Sequence, residues 1–190
     1  MTTTRITDAS SEALTATEVK LHARIDTSAD DAIVTRLIAA ARLECEAELQ
    51  RTIMPVTWLK TLDYFPGWGI DLLYPTVTAI AHVKYYDGSG TLITMDSSAY
   101  QLDTYSKPAI LAPAPGTLWP STQLERMNAV QITYTAGWAD AASVPTPIKQ
   151  WMLIRIAQLY EHREEIAAGF SVALMPHVDR LLDGYRVVKV

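Results

Sequence analysis

Apolar positions along this chain recur with two different periods, and the changeovers divide it into three stretches. Residues 1–14 are polar and are expected to be loose. At Thr15 the run Thr-Ala-Thr-Glu reads as a capping box: the hydroxyl can accept the Glu18 amide proton while the Glu18 carboxylate reaches back to the cap. Val19, Leu21, Ala23 and Ile25 follow, enough for a short helix ending near Asp26. Ser28 can cap a second helix, and Asp30 and Asp31 suit the positive end of its dipole. Over residues 30–51, Val34, Leu37, Ile38, Ala41, Cys45, Ala47 and Leu49 make a one-sided stripe of helical period. Glu44, Glu46, Glu48 and Arg51 fall mostly on the other side, and Pro55 closes the stretch.

From residue 56 the spacing becomes strand-like. VTWLKTLDYF alternates β-branched and aromatic residues, PGWG is a turn, and IDLLYP is a short strand ended by Pro75. Val77, Ile80, Val83 and Tyr85 lead into DGSG, and Leu92 and Ile93 return from it, which predicts a hairpin. AYQLDTY is a further strand candidate. Residues 107–122 carry Pro108, Pro113, Pro115 and Pro120 and are expected to form an irregular, edge-like passage. NAVQITYTAG resumes alternation, with Val130, Ile132 and Tyr134 on one face.

Past Pro147 the helical period returns. Ile148, Trp151, Met152, Ile154, Ile156, Leu159 and Tyr160 make this helix apolar on more than one side, so it is expected to be central. Pro145 and Pro147 stop the preceding strand, and Pro147 stands where a helix tolerates proline, in its first turn. A short helix around MPHVDRLLDGY and an alternating apolar tail, YRVVKV, complete the chain. The predicted class is therefore α+β: a small helical bundle built from both chain ends, residues 1–53 and 141–190, with an inserted antiparallel β-rich region over 54–140.

Composition narrows the function. With 49% hydrophobic and 19% charged residues over 190 positions, the chain can bury a core of ordinary size. A net charge of −5 argues against a general nucleic-acid clamp, which needs a basic surface to release counterions. It suits a wall past which a polyanion slides. The single cysteine, Cys45, excludes an intramolecular disulfide and fits a reducing compartment. The start of the sequence has no apolar core of signal-peptide length, and no window is apolar enough for a membrane span, so no membrane partner is expected.

No pattern of reactive side chains points to catalysis. His22, His82, His162 and His177 fall in separate elements, and His162 has Leu159, not a glutamate, three residues before it, so no metal site is expected. Cys45 lies on an apolar stripe with no histidine at a helical offset and reads as a buried thiol. DGSG sits between strands with no helix after it, so it is a turn and not a phosphate cradle. No cofactor is expected. The tryptophans Trp58, Trp68, Trp119, Trp138 and Trp151 admit two readings: wedges that pack loops onto a small sheet, or exposed anchors at a protein interface. Trp119 and Trp138 are the interface candidates among them. The tail residues Tyr185, Val187, Val188 and Val190 are candidates to add as a strand or wedge to a partner; the alternative is a tail packed on its own core.

The ordered motifs resemble those of phage head–tail connector proteins of the gp6-like type, in the longer subgroup that carries a β-rich insertion. TATEVKLHARID followed by DDAIVTRLIAAARLECEAELQRTI is similar to the family's opening pair of helices, although Ala23 replaces the usual leucine. TWLKTLDYFP, VTAIAHVKYYDGSG and ITYTAGWADAASVPTPIKQWMLIRIAQLYEHRE follow in family order, so the resemblance spans residues 15–186. It implies a non-enzymatic structural virion protein, made in the bacterial host cytoplasm and located in the virion neck. Its implied partners are the portal protein, a head-completion (stopper) or tail protein, and copies of itself in a ring, expected as a dodecamer. DNA would pass through the ring without sequence-specific binding. The competing expectation is a monomeric protein-binding adaptor of another bacterial assembly.

Overall fold

A computed structural model of the chain describes residues 1–162 and 176–187. The fold is α+β, and the chain divides into two compact units: Met1–Ser10 with Pro55–Trp138, and Ser11–Met54 with Ala139–Val190.

The first unit is two antiparallel sheets. Strands β1 (Thr2–Arg5), β2 (Val56–Leu62), β8 (Val130–Ala136), β4 (Val77–Tyr86) and β5 (Leu92–Thr94) lie side by side in that order. Strands β3 (Ile70–Leu72), β7 (Ala109–Pro113) and β6 (Tyr100–Asp103) form the second sheet. One apolar cluster takes residues from both, among them Val56, Trp58 and Leu62 of β2, Leu72 of β3, Leu111 of β7, and Val130, Ile132 and Tyr134 of β8. The predicted alternation of β8 is present, and full burial of each such side chain contributes about 1.5–3 kcal/mol. The Tyr134 hydroxyl donates to the Leu73 carbonyl at 2.8 Å, so the core gains the ring without stranding its polar end.

Strand β4 shows how spacing maps to structure. Val77, Ile80 and Val83 are three apart, which a regular strand would point to alternate faces. Irregularities in the β4–β8 ladder fall between Val77 and Ala79 and again between Ile80 and His82. Each extra residue restores the face, so Val77 and Val83 are buried and Ile80 packs against the same cluster.

Two expectations are corrected in this unit. Residues 1–14 are not all loose and do not all join the helical part: Thr2–Arg5 pair along the outer edge of β2, from Thr2 opposite Thr61 to Arg5 opposite Trp58. Threonine's β-branched side chain favours a strand, but TTTR has no apolar face to announce one. Residues 107–122 are not irregular throughout either. Ala109–Pro113 is the central strand of the second sheet, with Ala109, Leu111 and Ala112 buried. The prolines bracket this strand instead of interrupting it. Pro108 precedes it, after a cis peptide bond, and Pro113 ends it while its carbonyl accepts the Gln101 side-chain amide.

The second unit is helical: α1 (Ala16–Ala23), α2 (Asp31–Leu49), α3 (Thr146–Glu161) and the single turn α4 (Pro176–Asp179), continued by a 3₁₀ turn over Arg180–Leu182. The capping box at Thr15 is formed on both sides, with the Glu18 amide on the Thr15 hydroxyl at 3.2 Å and the Thr15 amide on the Glu18 carboxylate at 2.7 Å. Pro147 lies in the first turn of α3, as the sequence requires. Helix α3 packs on α1, α2 and the 3₁₀ turn through Ile148, Trp151, Met152 and Ile156, the central place its two-sided apolar pattern predicts.

The polar side of α2 differs from expectation. Glu46 and Arg51 are buried, as is Arg42, while Ala47 is exposed. The Arg42 guanidinium spans Glu12 at 2.8 Å and Glu46 at 3.5 Å, and the second Glu46 oxygen accepts the Ile53 amide at 2.8 Å. A buried charge is tolerable only with such partners, and none of them lies within one turn of helix except Glu46 itself.

Candidate functional site

The loop that follows β2 (residues 63–69) and the long loop between β7 and β8 (residues 114–129) lie together in the β unit. Their contacts are specific. The Asp63 carboxylate accepts the Asn128 amide at 2.7 Å. Trp119 stacks on Phe65 with ring centroids 4.8 Å apart, and its indole N–H donates to the Trp68 carbonyl. Phe65 in turn meets Tyr85 of β4 edge-on. The Arg126 guanidinium lies 3.4 Å from the Tyr86 ring centroid and donates to Gln123, whose backbone amide is bonded to the Tyr86 carbonyl. Gly90 completes this base: at φ +82 it suits the hairpin turn, and a Cβ there would meet the Gln123 side chain at 3.3 Å.

On this fixed base stand five large apolar side chains, Tyr64, Trp68, Leu118, Leu124 and Met127, between 68% and 90% exposed. Tyr64, Leu124 and Met127 border a cleft of about 360 Å³. Single exposed apolar residues are ordinary; the three that gather around this cleft form a patch of the kind that marks a protein contact. What the arrangement offers is desolvation of aromatic and aliphatic surface.

The two interface candidates from the sequence are both half-buried. Trp119 is stacked on Phe65 and bonded to the carbonyl of Trp68. Trp138 is also half-buried, at the end of the β unit just after Gly137, whose amide is bonded to the Thr76 carbonyl. Trp68 is the exposed tryptophan. In the tail, the Tyr185 carbonyl accepts from the Arg51 guanidinium at 3.1 Å, the Val187 amide donates to the Leu49 carbonyl, and Arg186 pairs with Glu48. As far as Val187 the tail is thus held by the end of α2 in its own unit; Val188 and Val190 lie outside the described residues. The patch residues were missed because Leu124 and Met127 stand singly in a proline- and turn-rich stretch with no period. Clustered exposure was the only signal available, and folding alone reveals it.

Among the described residues no three histidine, cysteine, aspartate or glutamate side chains are placed to hold a metal ion. The Cys45 thiol is buried, and burial together with Glu46, Glu44 and Glu48 pushes its pKa above the ordinary thiol value. His82 bonds Thr133 at 3.0 Å, and burial, with Lys84 adding, holds its pKa below the usual imidazole range. No described helix is long and apolar enough to cross a membrane.

No family model matches the chain, and no curated protein matches it. Solved structures do. A chain from the neck of an empty GTA particle computed with C6 symmetry superposes with a TM-score of 0.80 at 24% identity, covering 100% of this chain and 97% of that one. In fold, this chain is similar to chains of gene transfer agent particles. A chain from the virion of a native gene transfer agent particle matches at TM-score 0.79 and 23% identity, and one from a native neck computed with C12 symmetry at 0.69 and 21%, with the same coverage. Agreement over the full length means that both the helical unit and the β unit are part of the shared fold.

Proposed function

We propose that this chain is a structural virion protein of the head–tail neck. In this reading it is an adaptor that forms a ring under the portal, extends the DNA channel, and offers a docking surface to the next head-completion or tail protein. The observation that carries it is the full-length structural match to chains of gene transfer agent necks and virions, with TM-scores up to 0.80. The symmetric averaging of two of those assemblies supports a ring of copies. A net charge of −5 suits a conduit that DNA slides through. A ring subunit acts by presenting surfaces and needs no reaction centre. The gp6-like kinship and the portal as partner belong to this proposal.

The test is co-expression with the portal protein of the same genome, then native mass measurement and electron microscopy of the purified material. The expected result is a closed ring of this chain seated on the portal. A monomer that leaves a well-formed portal bare would overturn the reading in favour of a monomeric adaptor.

A further inference from the structure

Exposed apolar side chains stand beside unengaged charge at two places on this chain. In the β unit, Leu124 and Met127 flank Glu125, for which no ion pair exists among the described residues. The neighbouring cation does not supply one, because the Arg126 guanidinium is taken up by Tyr86 and Gln123. In the helical unit, Leu21 on α1 is 82% exposed and borders an open groove of about 610 Å³ with Lys20, Arg24 and Ile25. Lys20 is bound to Asp31 at 2.7 Å, whereas Arg24 has no ion pair among the described residues. Asp26, likewise without an ion pair among the described residues, borders the groove too, and Arg24 is its unpaired cation. Both Glu125 and Arg24 have left-handed backbone, φ 58 and φ 54, where glycine or asparagine is the easier residue. A long charged side chain is nevertheless kept at each.

We propose that these two surfaces meet between successive copies of the chain. The Leu124–Met127 loop of one copy seats in the α1 groove of the next, with Leu124 against Leu21 and Glu125 on Arg24. The inference rests on the neck-ring reading and names the contact that closes the ring. A second copy is the occupant for three reasons. A ring closed head-to-tail needs two different and complementary faces on one chain, and here both are present. Each face joins an aliphatic knob to an available charge, Glu125 on one and Arg24 on the other, and these two are opposite in sign. Structures of similar fold come from assemblies computed with C6 and C12 symmetry.

Charge reversal tests this, because Arg24 and Glu125 are both exposed. Full-length Glu125→Arg, Arg24→Glu and the doubly reversed protein are each assembled on the portal, and ring occupancy is read by native mass. Each single reversal is expected to lower ring yield at least tenfold, and the double reversal to restore it. As a second readout, Leu21→Cys combined with Leu124→Cys is expected to give an oxidised ladder of covalent multimers in the assembled ring. Single reversals that assemble like the parent, or a doubly reversed protein that stays monomeric, would overturn this contact while leaving the neck reading intact. Failure of the parent protein itself to form a ring would overturn both.

Discussion

Lys60 is the least expected residue in the β unit. It occupies the inward face of β2 between Trp58 and Leu62, and its ammonium donates to the Asp71 carbonyl of β3. Burial pushes its pKa below the ordinary 10.5, with Asp71 opposing. An unfolded chain therefore holds this proton to higher pH than the folded one. Between the lowered folded value and 10.5, stability rises with pH as the folded form sheds the proton; below that window the buried charge is a constant cost. Lys60→Met keeps the stem's volume and removes the charge, and is expected to lie within about 1.5 kcal/mol of the parent at neutral pH. Lys60→Ala leaves a cavity and is expected to cost about 2–5 kcal/mol. In urea titrations from pH 7 to 10, the gap between parent and Lys60→Met should shift in the parent's favour as pH rises. A gap independent of pH would mean that Lys60 is not buried as a cation.

At the scale of elements, the tail and α2 depend on one another. Arg51 and Leu49 lie at the end of α2, where carbonyls lack partners within the helix. The Val187 amide bonds the Leu49 carbonyl, and the Tyr185 carbonyl receives the buried Arg51 guanidinium. Removing residues 185–190 takes away both contacts. Losing such hydrogen bonds costs about 0.5–3 kcal/mol each, so the helical unit should melt at lower denaturant, with amide exchange at the end of α2 rising first. If the truncated protein keeps its stability and its ring assembly, neither a structural nor a docking role for the tail survives. Retained assembly with lowered stability would confine the tail to packing.

At the scale of the whole molecule, chain order and unit membership do not coincide. The first ten residues belong with the sheets, the next forty-four with the helices. Strand β1 covers the outer edge of β2, and Arg5 also places its guanidinium 5.1 Å from the Trp58 ring centroid. Deleting residues 1–10 would bare a seven-residue strand with a buried aromatic face, a template for pairing between chains. The expected outcome is concentration-dependent association on size-exclusion chromatography, with the α1–α3 packing still protected in hydrogen exchange. A deletion variant that stays monomeric with unchanged β2 protection would show that β1 contributes nothing.

The sequence alone determined the elements whose residues carry their own instructions. The Thr15 box, most of the stripe of α2, the alternation of β8 and the proline opening α3 depend on spacings within one turn or one strand, and these are present. The α+β class, and the order helices, strands, helices from Thr15 onward, follow from them. Tertiary structure decided what depends on distant partners. TTTR became a strand because β2 lay beside it, and 109–113 became a central strand because its prolines fell at the ends. Glu46 and Arg51 were buried because Arg42, Ile53 and Tyr185 were there to satisfy them. The patch of Tyr64, Leu124 and Met127 has no period at all. It exists because two loops far apart in sequence are locked together by Phe65, Trp119 and Asn128, and exposure is a property of the folded surface that no local spacing encodes.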